Sequence, residues 1–272
     1  MPLMVRRALV EKAPEVIEGF RMRGTEVSRL EAFADCVFGF GITLLVVNID
    51  TPKDFAHLMI AMRGLVAFGL CFAVFYGVWS RHYTYCRRYG LEDAPVRFLT
   101  VVMLFVVLAY LYPLRFLTLV FVTGVLGIKN VGWTPAVGND INANLGNLFI
   151  VYGVGVAAIQ LVFSALYGHA YQQRDKLKLD EIEILDTRWW TREQLAYLLI
   201  PLLSISIVEF LPYRMIGLAG WIYFGMGFIG WIHGSMHGKR HRALVEKMEA
   251  EGRLSEDQLS TENDLVEVPP PA

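Results

Sequence analysis

Residues 29–50 read Arg29-Leu-Glu-Ala-Phe-Ala-Asp-Cys-Val-Phe-Gly-Phe-Gly-Ile-Thr-Leu-Leu-Val-Val-Asn-Ile-Asp50. A charged cluster opens the stretch, and an apolar run with helical periodicity follows. Arg29 and Asp35 stand at the edge of a hydrophobic span, where an ionisable group is costly and is kept for a reason. At 100° per residue, Cys36, Phe40, Thr43, Val47 and Asp50 share one helix face. That stripe holds a thiol, a ring, a hydroxyl, an isopropyl group and a carboxylate, whereas a lipid-facing stripe would be uniformly apolar. It fits the wall of a narrow conduit, with hydrophobic constrictions at Phe40 and Val47 and a polar ring at Thr43. On spacing alone it better fits a helix–helix contact in which Gly39 and Gly41 allow close approach, since Thr is common at such contacts.

The rest of the chain carries the same signal. Its 272 residues are 55% hydrophobic, with mean hydropathy +0.43, and the apolar residues fall in runs of bilayer-crossing length. The pattern predicts an all-α, polytopic membrane protein with six spans at about residues 32–49, 60–80, 98–121, 147–169, 193–210 and 215–235. Pro52 closes the first span, and Asp93 and Pro95 mark the turn before the third. Thr191-Arg192-Glu193-Gln194 reads as a capping box opening the fifth, and Leu211-Pro212 ends it. Residues 3–24 are expected to form a short helix ahead of the first span, making residues 1–27 an N-terminal segment. Residues 28–236 form the membrane domain. Residues 237–272 comprise a charged helix and a Pro-rich disordered tail. The charged stretch from Gln172 to Trp190 is expected to extend the fourth helix.

Basic residues set the orientation. Of the 25 Lys and Arg residues, only Lys53, Arg63, Arg115, Lys129 and Arg214 fall on one side of the six spans. The remainder lie on the other, which places both termini in the cytoplasm. The first 25 residues lack the apolar core and cleavage site of a signal peptide. Cys36, Cys71 and Cys86 are odd in number and lie in or beside spans, so no disulfide framework is expected. A net charge of −1 says nothing about partners, and no nucleic-acid partner is expected.

The motif Arg29-x-x-x-Phe33-Ala34-Asp35, followed by Val37-Phe38 and Ile42-Thr43-Leu44-Leu45-Val46, resembles the first-span signature of the transmembrane protein 175 family. Trp79-x-x-His82 and Tyr112-Pro113 resemble that family's second- and third-helix features. The resemblance covers about residues 28–236. It implies a potassium-permeable channel of the cell membrane, a homotetramer of six-helix subunits with helix one lining the central pore. It implies no cofactor beyond the permeant potassium ion, and it places Phe40, Thr43 and Val47 on the pore axis. Two departures stand out: Ala34 replaces the motif serine, and Phe40 replaces a smaller aliphatic residue. Val151-Tyr152-Gly153-Val154-Gly155 echoes a potassium-selectivity filter but lies mid-span, where its glycines serve packing.

Arg29, Asp35 and His82 share the cytoplasmic boundary in this topology. Asp35 is expected to accept from His82 or Arg29, tying helix one to helix two, while Arg29 alone could snorkel to headgroups. Asp50 can concentrate cations at the outer mouth or simply begin a loop. Glu209 can sense protons or pair with Arg214. His233, His237 and His241 are spaced i, i+4, i+8, and two such residues can share a metal. No carboxylate stands nearby in sequence, so a solvated face is expected and no metal. No catalytic constellation is visible, so an enzyme is not expected. A secondary carrier or a non-conducting scaffold remains the alternative on the same fold.

Overall fold

The computed structural model describes residues 16–17, 20–47, 52–129, 131, 141–212 and 215–252. Two short strands, β1 (Val16–Ile17) and β2 (Phe20–Arg21), pair antiparallel ahead of the helices. The helices are α1 (Arg29–Val47), α2 (Phe55–Tyr89), α3 (Ala94–Ala109), α4 (Leu111–Gly124), α5 (Ile141–Gln172), the single turn α6 (Arg174–Leu177), α7 (Glu181–Phe210), α8 (Ile216–Trp221) and α9 (Gly225–Ala250). A 3-10 turn, Ile222–Phe224, joins the last two.

Among the described residues, four helical stretches are long and apolar enough to cross a membrane: α2, residues 145–172 of α5, α7, and residues 216–248 across α8 and α9. The pair α3 and α4, which meet at a 47° bend, is apolar and long enough only when taken together and makes a fifth if it is one span. The straight third span expected over 98–121 is therefore broken at Tyr110. Pro113 has no N–H to donate to Ala109 four residues earlier, and its ring crowds that carbonyl, which kinks the helix.

The helix ends correct the sequence reading in three places. The capping box expected at Thr191 to open the fifth span is not there. Ser28 opens α1 by accepting from the backbone N–H of Glu31 at 3.0 Å. Asp180 opens α7 with a complete capping box to Glu183. Thr191 lies inside α7, and its hydroxyl donates to the Thr187 carbonyl one turn back, at 2.9 Å. The charged stretch after Gln172 accordingly begins the α7 helix rather than extending α5, with Lys178 (φ 51°) making the turn between them. The helix expected over 3–24 is absent from its described part. Residues 16–17 and 20–21 are strands, and residues 22–27 carry no helix; residues 1–15 lie outside the described residues. The charged helix expected after the last span is continuous with it up to Ala250; residues 253–272 lie outside the described residues.

The N-terminal strap explains its own conformation. Gly24 donates to the Arg87 carbonyl at 2.9 Å, and a Cβ on Gly24 would lie 2.4 Å from the Cys86 carbonyl oxygen. Opposite it, Gly90 ends α2 in the left-handed region (φ 57°), where a side chain is strained. Phe20 is buried against Tyr89 and Trp190, and the Arg88 guanidinium lies 3.6 Å over the Trp190 ring. The strap thus gathers the end of α2 and the start of α7 at one end of the bundle. The main core is built there and along the bundle from Phe38, Phe75, Tyr85, Met103, Phe163 and Leu166.

At the opposite end, Asp54 caps α2 by accepting from the His57 N–H at 2.8 Å, and that bond holds its carboxyl below the ordinary carboxylate value.

Candidate pore helix and its anchors

α1 presents two opposed faces. Ala34, Phe38, Gly41 and Leu45, spaced i, i+4, i+7, i+11, are buried. Phe38 meets Phe75 of α2 edge-on, with ring centroids 6.1 Å apart, and a Cβ on Gly41 would lie 2.9 Å from the Phe75 ring. The mixed stripe is offset from this face by two residues, roughly 200° around the helix. Cys36, Phe40 and Thr43 are exposed, Phe40 to 72%. Phe33 is also exposed. The Val47 side chain and Asp50 lie outside the described residues. The glycines divide: Gly41 serves packing within the chain, whereas a Cβ on Gly39 would meet nothing within 4 Å.

Thr43 donates its hydroxyl hydrogen to the Phe40 carbonyl at 2.7 Å. The oxygen keeps its lone pairs, so outward from the helix it is an acceptor. It can face a cation without competing with its own proton.

Contrary to the expectation from sequence, Asp35 accepts from neither His82 nor Arg29. The Trp79 indole donates to Asp35 at 2.6 Å, and Trp79 is itself stacked on Tyr83 and tilted against Tyr76. Trp79 and His82, three residues apart and about 60° around the helix, nonetheless meet different neighbours. His82 is 1% exposed and pairs with the Thr100 hydroxyl of α3 at 3.3 Å, with the Cys86 sulfur 3.7 Å away. Arg29 is exposed and does not reach Asp35. The motif residues therefore form two separate ties, α1 to α2 through Asp35–Trp79 and α2 to α3 through His82–Thr100. Ala34, at the position of the motif serine, is fully buried.

A second anchor was missed in the sequence. Glu183 is fully buried, and its carboxylate accepts from four donors. Arg21 N and Arg23 Nη1 bond Oε1, both at 2.9 Å, while Arg23 Nη2 at 2.6 Å and Asp180 N at 3.1 Å bond Oε2. All four acceptor positions of the carboxylate are filled. The available signal was the pattern Asp180-x-x-Glu183. Further packing glycines bear out the reading of the filter-like echo. A Cβ on Gly155 would sit 2.3 Å from the Tyr110 ring, and one on Gly153 would sit 3.0 Å from Ile205. Glu209 is exposed, and Arg214 lies outside the described residues.

The His-rich segment departs furthest from expectation. His237 and His241 are not a solvated face: both lie on the buried Asp186 carboxylate of α7, at 2.8 and 3.1 Å.

These features define a multi-pass α-helical membrane protein in which the polar stripe of α1 is left exposed. The family model described as "Endosomal/lysosomal potassium channel TMEM175" matches residues 29–113. A protein named "Potassium channel" from Marivirga tractuosa is 34% identical over 246 residues, covering 88% of this chain and 99% of that one. The crystal structure of a variant of the potassium channel MtTMEM175, bound to a nanobody–MBP fusion, matches with TM-score 0.72 and 34% identity, over 83% of this chain and 99% of that one. A TMEM175 homologue from Chamaesiphon minutus, described as a lysosomal potassium-selective channel, matches at 19% identity and TM-score 0.48, over 75% of this chain and 96% of that one. The chain belongs to the TMEM175 potassium channel family.

Proposed function

We propose that this chain is a potassium-permeable channel whose conduction path is lined by α1, with Phe40 as its hydrophobic constriction and Thr43 as the adjoining polar ring. The observation that carries this reading is the exposed stripe Cys36–Phe40–Thr43, set opposite the face by which α1 packs on its own chain. In a homotetramer such a stripe converges on the symmetry axis. Four Phe40 rings would gate by dewetting, and four Thr43 oxygens would replace part of a cation's hydration shell. Backbone carbonyls in a regular helix are committed to their own ladder, so side chains must serve.

The six spans in this reading are α1, α2, the bent pair α3–α4, α5, α7 and the α8–α9 rod. Helix α1 has 19 described residues, about 28 Å at 1.5 Å per residue, close to the hydrocarbon thickness. The end of the bundle rich in Lys and Arg faces the cytoplasm, in the cell membrane. The chain acts as a conduit, with no catalytic role.

A carrier is the second reading, and the 47° bend at Tyr110 favours it, since broken helices mark carriers. Flux of potassium, sodium and caesium through the purified protein in liposomes separates the readings. A channel passes current far above carrier turnover, and Phe40→Ala raises it. Absence of flux from both folded, oligomeric proteins overturns the channel reading.

A further inference from the structure

We propose that Asp186, His237 and His241 form a zinc site that staples α9 to α7. The site involves no residue of α1 and does not depend on the channel reading.

The three residues come from two helices that sequence separates by about fifty positions. His237 and His241 are one turn apart and project from the same side of α9. Asp186, one turn into α7, meets both: His237 Nε2 lies 2.8 Å and His241 Nδ1 3.1 Å from Asp186 Oδ1. All three donor atoms fall within 4.8 Å of one another. Zinc bonds of 2.0–2.1 Å in a tetrahedron hold neighbouring ligand atoms about 3.3 Å apart. The two nitrogen–oxygen separations therefore open by only a few tenths of an ångström to admit the ion, and the two ring nitrogens, within 4.8 Å of each other, settle to the same spacing by small imidazole rotations.

The donor set is also chemically suited. Two imidazoles and a carboxylate match zinc, and three protein ligands leave a fourth position for water. The Asp186 side chain is 4% exposed, while each imidazole is 21% exposed, so the ion can enter from the histidine side. Without the ion, each imidazole presents an N–H to the carboxylate. Binding needs a lone pair at the same atom, and a change of tautomer supplies it by moving the proton to the other ring nitrogen. The Trp189 and Trp190 rings, with centroids 5.7 and 6.3 Å from that of His237, close the inner side against water.

The test uses the full chain, purified without a polyhistidine tag, stripped with chelator and titrated with zinc. One zinc per chain and a raised melting temperature are expected. His237→Gln keeps an N–H donor for Asp186 while removing the zinc ligand, so it should fold normally and bind zinc about tenfold more weakly or worse. His241→Ala should do the same. Wild-type protein that retains no zinc, or variants that bind as wild type does, overturns the site. Cobalt in place of zinc gives an independent readout. Visible d–d bands without thiolate charge transfer support these ligands, and a thiolate band assigns the metal to a cysteine instead.

Discussion

The Trp79 indole donates to Asp35 across 2.6 Å, while His82, one turn further along α2, turns away to Thr100. The two recurrent aromatic positions of the second helix thus serve different helices. A double-mutant cycle reads this directly. Trp79→Phe should lower stability by about 1.5–3 kcal/mol, because it leaves a carboxylate without its donor. Asp35 and Trp79 should show a coupling energy of about 0.5–3 kcal/mol, and Asp35 and His82 about 0.5 kcal/mol or less, measured by thermal or denaturant unfolding in detergent. A large coupling between Asp35 and His82 would contradict the separation of the two ties.

Glu183 is the most fully satisfied buried charge described in the molecule. Removing Arg23 leaves it short of two of its four donors, so Arg23→Ala should destabilise by about 3–5 kcal/mol. Arg23→Lys should recover only part of that loss, since an ammonium cannot reproduce the two-pronged geometry. Melting curves of the three proteins provide the check, and an Arg23→Ala protein as stable as wild type would show the strap to be dispensable.

Gly155 is held by the Tyr110 ring at the bend between α3 and α4. Gly155→Ala should lower the melting temperature, and adding Tyr110→Ala should restore part of it by vacating the space. Gly39→Ala provides the contrast. With nothing within 4 Å of the added methyl, the folded chain should gain up to about 1 kcal/mol of helix propensity.

Phe40→Ala touches a ring that is mostly exposed within its own chain. Stability of the protomer should change by no more than about 0.5 kcal/mol. Potassium flux in liposomes should rise, and a folded Phe40→Ala protein with reduced flux would remove Phe40 from the conduction path.

Much of the architecture was legible because its determinants are local. Apolar runs of bilayer length and the α1 stripe each follow from composition and period within a few turns of helix. The identity of the exposed stripe could be read from spacing, and the structure leaves Cys36, Phe40 and Thr43 outward as that spacing allows. Helix boundaries were less legible. Thr191-x-x-Gln194 carries a capping pattern as Asp180-x-x-Glu183 does, and the structure closes the box at Asp180, where Glu183 is buried on Arg23.

Partner choice lay beyond the sequence altogether. Asp35 could accept from any nearby donor, and the facing of α1 and α2 selects Trp79. Glu183 is tolerable in the interior only because a strap some 160 residues earlier brings Arg21 and Arg23 to it. His237 and His241 announced half of a ligand set by their spacing, and the packing of α9 on α7 supplied Asp186. Period and hydropathy are properties of a single segment, so sequence determined the apolar helices and the polar face of α1. The pairing of a buried charge depends on which segments meet, and that was decided only when the helices packed.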